Sequence, residues 1–172
     1  MKWYLKLKFR TPLRRLGIAI LVVLLSLQCF RPALDNVGAP EGPESLAATL
    51  HPPAEVSQFL AASCYDCHSD STKYPWYAYV QPIGWAIANH VRDGKQALNL
   101  STFGSLHTKA QAQRLEYMAE AIVDREMPLP SYRLFHQQVM LSEKEMASVN
   151  EWINHTQKVL DSHLQASEVS SR

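Results

Sequence analysis

The sequence predicts an all-α protein, one domain of about four helices preceded by an N-terminal apolar helix. Three observations predict it. Apolar residues recur at helical spacing in separate stretches from residue 54 onward. Prolines, glycines and a capping signal fall at the ends of those stretches. No run alternates apolar and polar residues in the way a half-buried strand does.

The first element is set by charge. Residues 1–31 carry Lys2, Lys6, Lys8, Arg10, Arg14, Arg15 and Arg31 and no acid. Residues 16–30, "LGIAILVVLLSLQCF", are uncharged and mostly apolar. A basic flank followed by such a run reads as a signal peptide or a signal-anchor. Fifteen residues is short for a bilayer span, which takes about 20. Basic side chains at both ends would lengthen it by snorkelling. Bulky residues in "QCFRPALD" replace the small ones a cleavage site needs, and "VGA" at 37–39 lies far downstream. An uncleaved single-pass signal-anchor in the inner membrane is therefore expected, with the rest of the chain outside the cytoplasm. Cys29, after Gln28, is a poor lipoprotein site and reads as a buried free thiol.

Residues 32–53 hold five prolines and two glycines and read as an extended, poorly packed linker. The body follows at 54–165. Its first helix starts after Pro53 and carries Val56, Phe59, Leu60 and Cys64 on one face. A polar then aromatic loop follows, "SDSTKYPWYAYV". The second helix starts near Pro82 and is expected to stop at Gly94. The third spans about 107–125, with Leu115, Met118, Ala119 and Ile122 on one face, and ends before Pro128 and Pro130. The last helix starts at a capping box of Ser142 and Glu145, with Leu141 and Met146 as a hydrophobic staple. Met146, Val149, Ile153 and Leu160 line its inner face. Residues 166–172 read as a disordered tail.

Residues 32–172 hold ten Lys and Arg against sixteen Asp and Glu, a net charge of −6. An acidic body without a basic stripe excludes nucleic acid, whose phosphates need clustered cations.

The chemistry concentrates in "ASCYDCHSD", residues 62–70. Cys64 and Cys67 stand two residues apart, and His68 follows. Zinc would need a second ligand pair, and the only other cysteine is Cys29. A dithiol redox pair would need a strand before the motif, which here ends a helix. C-x-x-C-H is the attachment signal for c-type haem: two thiols for the porphyrin vinyl groups and a histidine for the iron. An exported location suits that attachment. A chance occurrence is the remaining alternative.

The order of elements resembles that of class I c-type cytochromes. There the motif ends the first helix, a methionine beside a proline comes later, and a last helix packs on the first. Here "REMPLP" places Met127 before Pro128, fifty-nine residues after His68. The resemblance makes Met127 the expected distal ligand; a thioether suits haem iron and raises its potential. A core methionine is the plainer reading. His90, near the Ile83–Ile87 face, is expected to point inward and is an alternative ligand, as is His136. His51, His107, His155 and His163 read as surface residues.

The stretches "CYDCHSDSTKYPWYAYVQPIGWAIANHVRDGKQALNLSTF" and "REMPLPSYRLFHQQVMLSEKEMASVNEWI" resemble the bacterial haem-binding domain family. The motifs are CxxCHS, PWY, HVxxGKxxLN, MPxxxY and LSxxE, and the likeness spans about residues 18–155. Two positions depart from the family pattern: Asp70 replaces Asn, and Arg125–Glu126 replaces Gly-Glu. The resemblance implies one covalently bound haem c. Tyr74, Trp76, Tyr77 and Trp85 are candidates to cover it, and Asn99 and Ser101 to bond its propionates.

The expectation is thus a membrane-tethered periplasmic electron carrier, not an enzyme. Cys64 and Cys67 attach the haem, and His68 and Met127 ligate the iron. With both axial places filled, no substrate reaches the iron. The redox partner would present a basic docking surface. The alternative is a haem enzyme or sensor with an open distal site, for peroxide or a small gas.

Overall fold

A computed structural model of the chain describes residues 3–34, 42–136 and 142–170, with side chains from Pro12 onward apart from 168 and 170. Among the described residues all regular structure is helical. Eight α-helices run in order: α1 (Trp3–Leu27), α2 (Leu46–Leu50), α3 (Ala54–Ser63), α4 (Tyr65–His68), α5 (Ile83–Ala97), α6 (Thr108–Val123), α7 (Pro130–Phe135) and α8 (Glu143–Ser170). Two short 3₁₀ turns lie at Trp76–Tyr79 and Phe103–Ser105. The count exceeds four because three elements, α2, α4 and α7, have six residues or fewer.

The chain divides into two compact units, residues 1–34 with 74–90, and residues 35–73 with 91–172. In the first unit, the segment after α1 is tied to the start of α5. Gln28 Nε2 donates to the Gln81 carbonyl at 3.1 Å, and the Gln81 amide donates to Gln28 Oε1 at 3.0 Å. The Trp85 indole N–H donates to the Phe30 carbonyl at 2.8 Å. Of the aromatics expected to cover a haem, Trp85 thus bonds Phe30 through its indole N–H, and Trp76 is 77% exposed.

The expected transmembrane helix is corrected here. Among the described residues no helix is long and apolar enough to cross a membrane. The helix ends at Leu27, so its last five turns, residues 10–27, already include Arg10, Arg14 and Arg15. Cys29 is exposed, not buried.

In the second unit, α6 and α3 pack against α8. The core joins Val56, Phe59 and Leu60 of α3, Leu115 and Ile122 of α6, and Met146, Val149, Trp152 and Ile153 of α8. Each such side chain contributes about 1.5–3 kcal/mol by leaving water. The capping box forms: the Ser142 amide donates to Glu145 Oε2 at 2.9 Å and the Glu145 amide to Ser142 Oγ at 3.2 Å. The hydrogen bonds from the Ser142 hydroxyl and amide hold the Glu145 carboxyl below its usual range. The staple residue Leu141 lies outside the described residues.

Within 32–53 the structure places a short helix, α2, where the sequence predicts an extended linker. Ser45 caps α2, accepting from the Ala48 amide at 3.2 Å, and Leu46 is fully buried in the core. The Leu46 amide donates to the Leu100 carbonyl at 2.7 Å. Proline content hid a short apolar turn. At the other end, α8 runs through the expected tail to Ser170, because nothing after Thr156 breaks a helix.

Candidate functional site

The motif occupies a single helical turn. α3 ends at Ser63, and Cys64 opens α4. The His68 amide donates to the Cys64 carbonyl at 2.9 Å, and the Cys67 amide to the same oxygen at 3.2 Å. Positions i, i+3 and i+4 of a turn share a face, so Cys64, Cys67 and His68 project together. All three are half-buried.

The segment after α5 grips this turn from two sides. His68 Nδ1 lies 3.0 Å from the Leu98 carbonyl oxygen. A carbonyl only accepts, so Nδ1 carries the proton and Nε2 keeps its lone pair for a metal. A backbone carbonyl on the far nitrogen of a ligating histidine fixes the ring and its tautomer. The Leu100 amide then donates to the His68 carbonyl at 2.7 Å.

α5 reaches the motif through Gly94. A β-carbon at this position would stand 2.7 Å from the Cys67 carbonyl oxygen. Gly94 therefore does not stop the helix, which continues to Ala97. The glycine is there for close approach.

Beyond the motif, Asp70 organises a small polar cluster. Asn99 Nδ2 donates to Asp70 Oδ1 at 2.9 Å, and Lys95 Nζ lies 3.5 Å from the same oxygen. The Asp70 amide donates to Ser101 Oγ at 3.0 Å. Asn99 and Ser101, candidates for propionates, are thus engaged with Asp70. An asparagine at 70 would retain the acceptor for Asn99 and lose only the pairing with Lys95.

Asp66, between the two cysteines, uses both carboxylate oxygens. Oδ1 accepts from the Lys73 amide at 3.2 Å, and Oδ2 accepts from the Tyr132 hydroxyl at 2.7 Å. Tyr132 belongs to α7, which begins three residues after Met127. The Met127 amide donates to the Ala121 carbonyl at 3.1 Å, and its side chain is 36% exposed. Just before it, Arg125 has a φ of 57° and an ion pair with Glu143. A left-handed backbone at this position favours glycine.

The two alternative ligands fall differently. His90 is exposed, so the inward orientation expected for it is corrected: the helical period past Ile87 carries it off the buried side. His136 stacks on Tyr132 with ring centroids 4.0 Å apart, and its Nδ1 lies 3.0 Å from the Tyr132 carbonyl.

The thiols are held neutral. Burial first, then the neighbouring Cys67, pushes the Cys64 thiol up to about 12. Burial first, then the Asp66 carboxylate, pushes Cys67 up to about 11. The two thiols flank a histidine with a free Nε2, an arrangement that suits addition to a porphyrin's vinyl groups with the histidine toward the iron. Among the described residues no three His, Cys, Asp or Glu side chains gather as a site for a bare metal ion. The donor set fits a haem.

Sequence reasoning missed Leu98, Gly94, Asp66 and Tyr132. Gly94 and Leu98 stood within the HVxxGKxxLN pattern, and Tyr132 ends MPxxxY, so the motifs had marked three of the four, Gly94 with the wrong role and the other two with none.

A family model described as Haem-binding domain matches residues 22–155, most of the chain. No curated protein and no solved structure matches. With the C-x-x-C-H motif, the oriented histidine and this match in agreement, the chain belongs to the haem-binding domain family.

Proposed function

We propose that the protein is a monohaem c-type cytochrome working outside the cytoplasm as an electron carrier. The observation that carries this reading is the His68 Nδ1–Leu98 carbonyl bond on the same turn as Cys64 and Cys67. When bound, the haem supplies one-electron chemistry. The chain's own residues do the rest. Cys64 and Cys67 would hold the group by thioether bonds. His68 would offer Nε2 to the iron, with its ring fixed by the Leu98 carbonyl. Met127 would be the second iron ligand, leaving no open site for a substrate. The acidic body, with a net charge of −6 over residues 32–172, favours a redox partner with a basic docking surface and salt-dependent association.

The test is an absorption spectrum of the full chain matured with haem, taken oxidised, reduced and reduced with carbon monoxide. A low-spin ferric form with a far-red methionine–iron band and no carbon monoxide shift is expected. A high-spin ferric form that binds carbon monoxide readily would replace the carrier with an open-site haem enzyme or sensor. In a second arm, Cys64→Ala with Cys67→Ala abolishes haem that survives denaturation. Its persistence would refute covalent attachment.

A further inference from the structure

The chain between Met127 and Tyr132 is held at both ends by unlike contacts. At one end the Met127 amide bonds the Ala121 carbonyl of α6 at 3.1 Å. At the other the Tyr132 hydroxyl donates to Asp66 Oδ2 at 2.7 Å, inside the attachment motif itself. Between them stand Pro128, which is buried, Leu129 and Pro130, which opens α7. Two prolines in three residues leave little backbone freedom, since each fixes its own φ and restricts the residue before it. The reach of Met127 toward the motif is therefore set by where α7 is fastened.

α7 is only six residues long and has no buried residue, so packing contributes little to its position. The Tyr132–Asp66 bond is charge-assisted and half-buried, the stronger class of hydrogen bond. Asp66 is itself steadied by the Lys73 amide on its other oxygen at 3.2 Å. His136 stacks on the Tyr132 ring, with the planes 11° apart, and bonds the Tyr132 carbonyl, so the ring is braced from the C-terminal side.

We infer that Tyr132 is the positioning residue for the distal ligand: its hydroxyl, bound to Asp66 between the two cysteines, fastens the Met127–Pro130 segment to the attachment turn. This rests on the reading of Met127 as that ligand. Tyr132 does not touch the iron; it acts by restricting how far the methionine departs from it.

The test uses the haem-loaded full chain. Tyr132→Phe keeps the ring and its stacking and removes only the hydroxyl. It is expected to retain attached haem, weaken the methionine–iron band, and bind added imidazole at the ferric iron about tenfold more tightly, as one lost charge-assisted bond implies. Asp66→Ala should do the same, and the double variant should be no worse than the stronger single one. A second readout is amide exchange of residues 127–136, expected to quicken in Tyr132→Phe. Met127→Ala is the reference. If it opens the iron while Tyr132→Phe leaves the band and the imidazole affinity as in the parent, the inference about Tyr132 is overturned and the ligand stands. If Met127→Ala itself changes neither, the distal assignment is wrong, and the role given to Tyr132 goes with it.

Discussion

Gly94 lies so near Cys67 that a β-carbon on it would meet the Cys67 carbonyl oxygen at 2.7 Å. The obstacle is backbone, which cannot swing aside as a side chain can. Gly94→Ala would ordinarily favour a helix interior by about 1 kcal/mol. Here overpacking outweighs it, at about 1–3 kcal/mol. The expected result is a lower melting temperature and reduced haem incorporation. A variant as stable as the parent, by thermal unfolding, would mean that α5 moves off the motif without cost.

The two motif thiols give the haem-free protein an alkaline weakness. Their folded values lie at about 12 and 11, above the ordinary 9.0. Between pH 9 and 12 the unfolded chain therefore releases protons that the folded chain keeps, and stability falls as pH rises. Below pH 9 the contribution is fully present. Thioether bonds would remove both titrating groups. Denaturant unfolding from pH 8 upward should show a steeper decline for the haem-free protein than for the loaded one. Equal slopes would contradict this.

Arg125 holds a φ of 57°, where a side chain other than glycine is strained by about 1–2 kcal/mol. Its exposed ion pair with Glu143 returns at most about 1 kcal/mol. Arg125→Gly is thus expected to leave stability unchanged or raise it slightly, and to keep haem attachment. Arg125→Val should destabilise. Chemical denaturation of the three proteins ranks them directly.

Gln28 bonds the main chain of Gln81, which is 2% exposed, through both its amide nitrogen and its amide oxygen, and the nitrogen also donates to the Leu24 carbonyl at 2.8 Å. Gln28→Ala strands a buried donor and acceptor, at about 1–3 kcal/mol. Ser26→Ala, which removes an exposed hydroxyl bonded only to the Val22 carbonyl at 2.8 Å, should be near neutral. Thermal unfolding that fails to separate the two would show that residues 28–30 add nothing to their unit.

Much of this protein was legible in its residues taken singly or at short range. The attachment motif, the capping box of Ser142 and Glu145, the apolar faces of α3, α6 and α8, and the acidic body all depend on spacing within a few turns. Local interactions set them, so a one-dimensional reading reaches them. Other assignments failed where a local signal had a distant cause. Gly94 resembled a helix stop, yet its backbone approaches Cys67 from twenty-seven positions away. Proline and glycine made 32–53 resemble a linker, yet Leu46 fills the core beside Leu100. Fifteen uncharged, mostly apolar residues resembled a membrane span, yet the helix ends at Leu27 and no described helix suffices to cross. Only the tertiary structure decided which carbonyl orients His68 and which hydroxyl reaches Asp66. Those bonds join residues thirty and sixty-six positions apart, and their partners, a backbone oxygen and a tyrosine, carry no pattern until the chain folds.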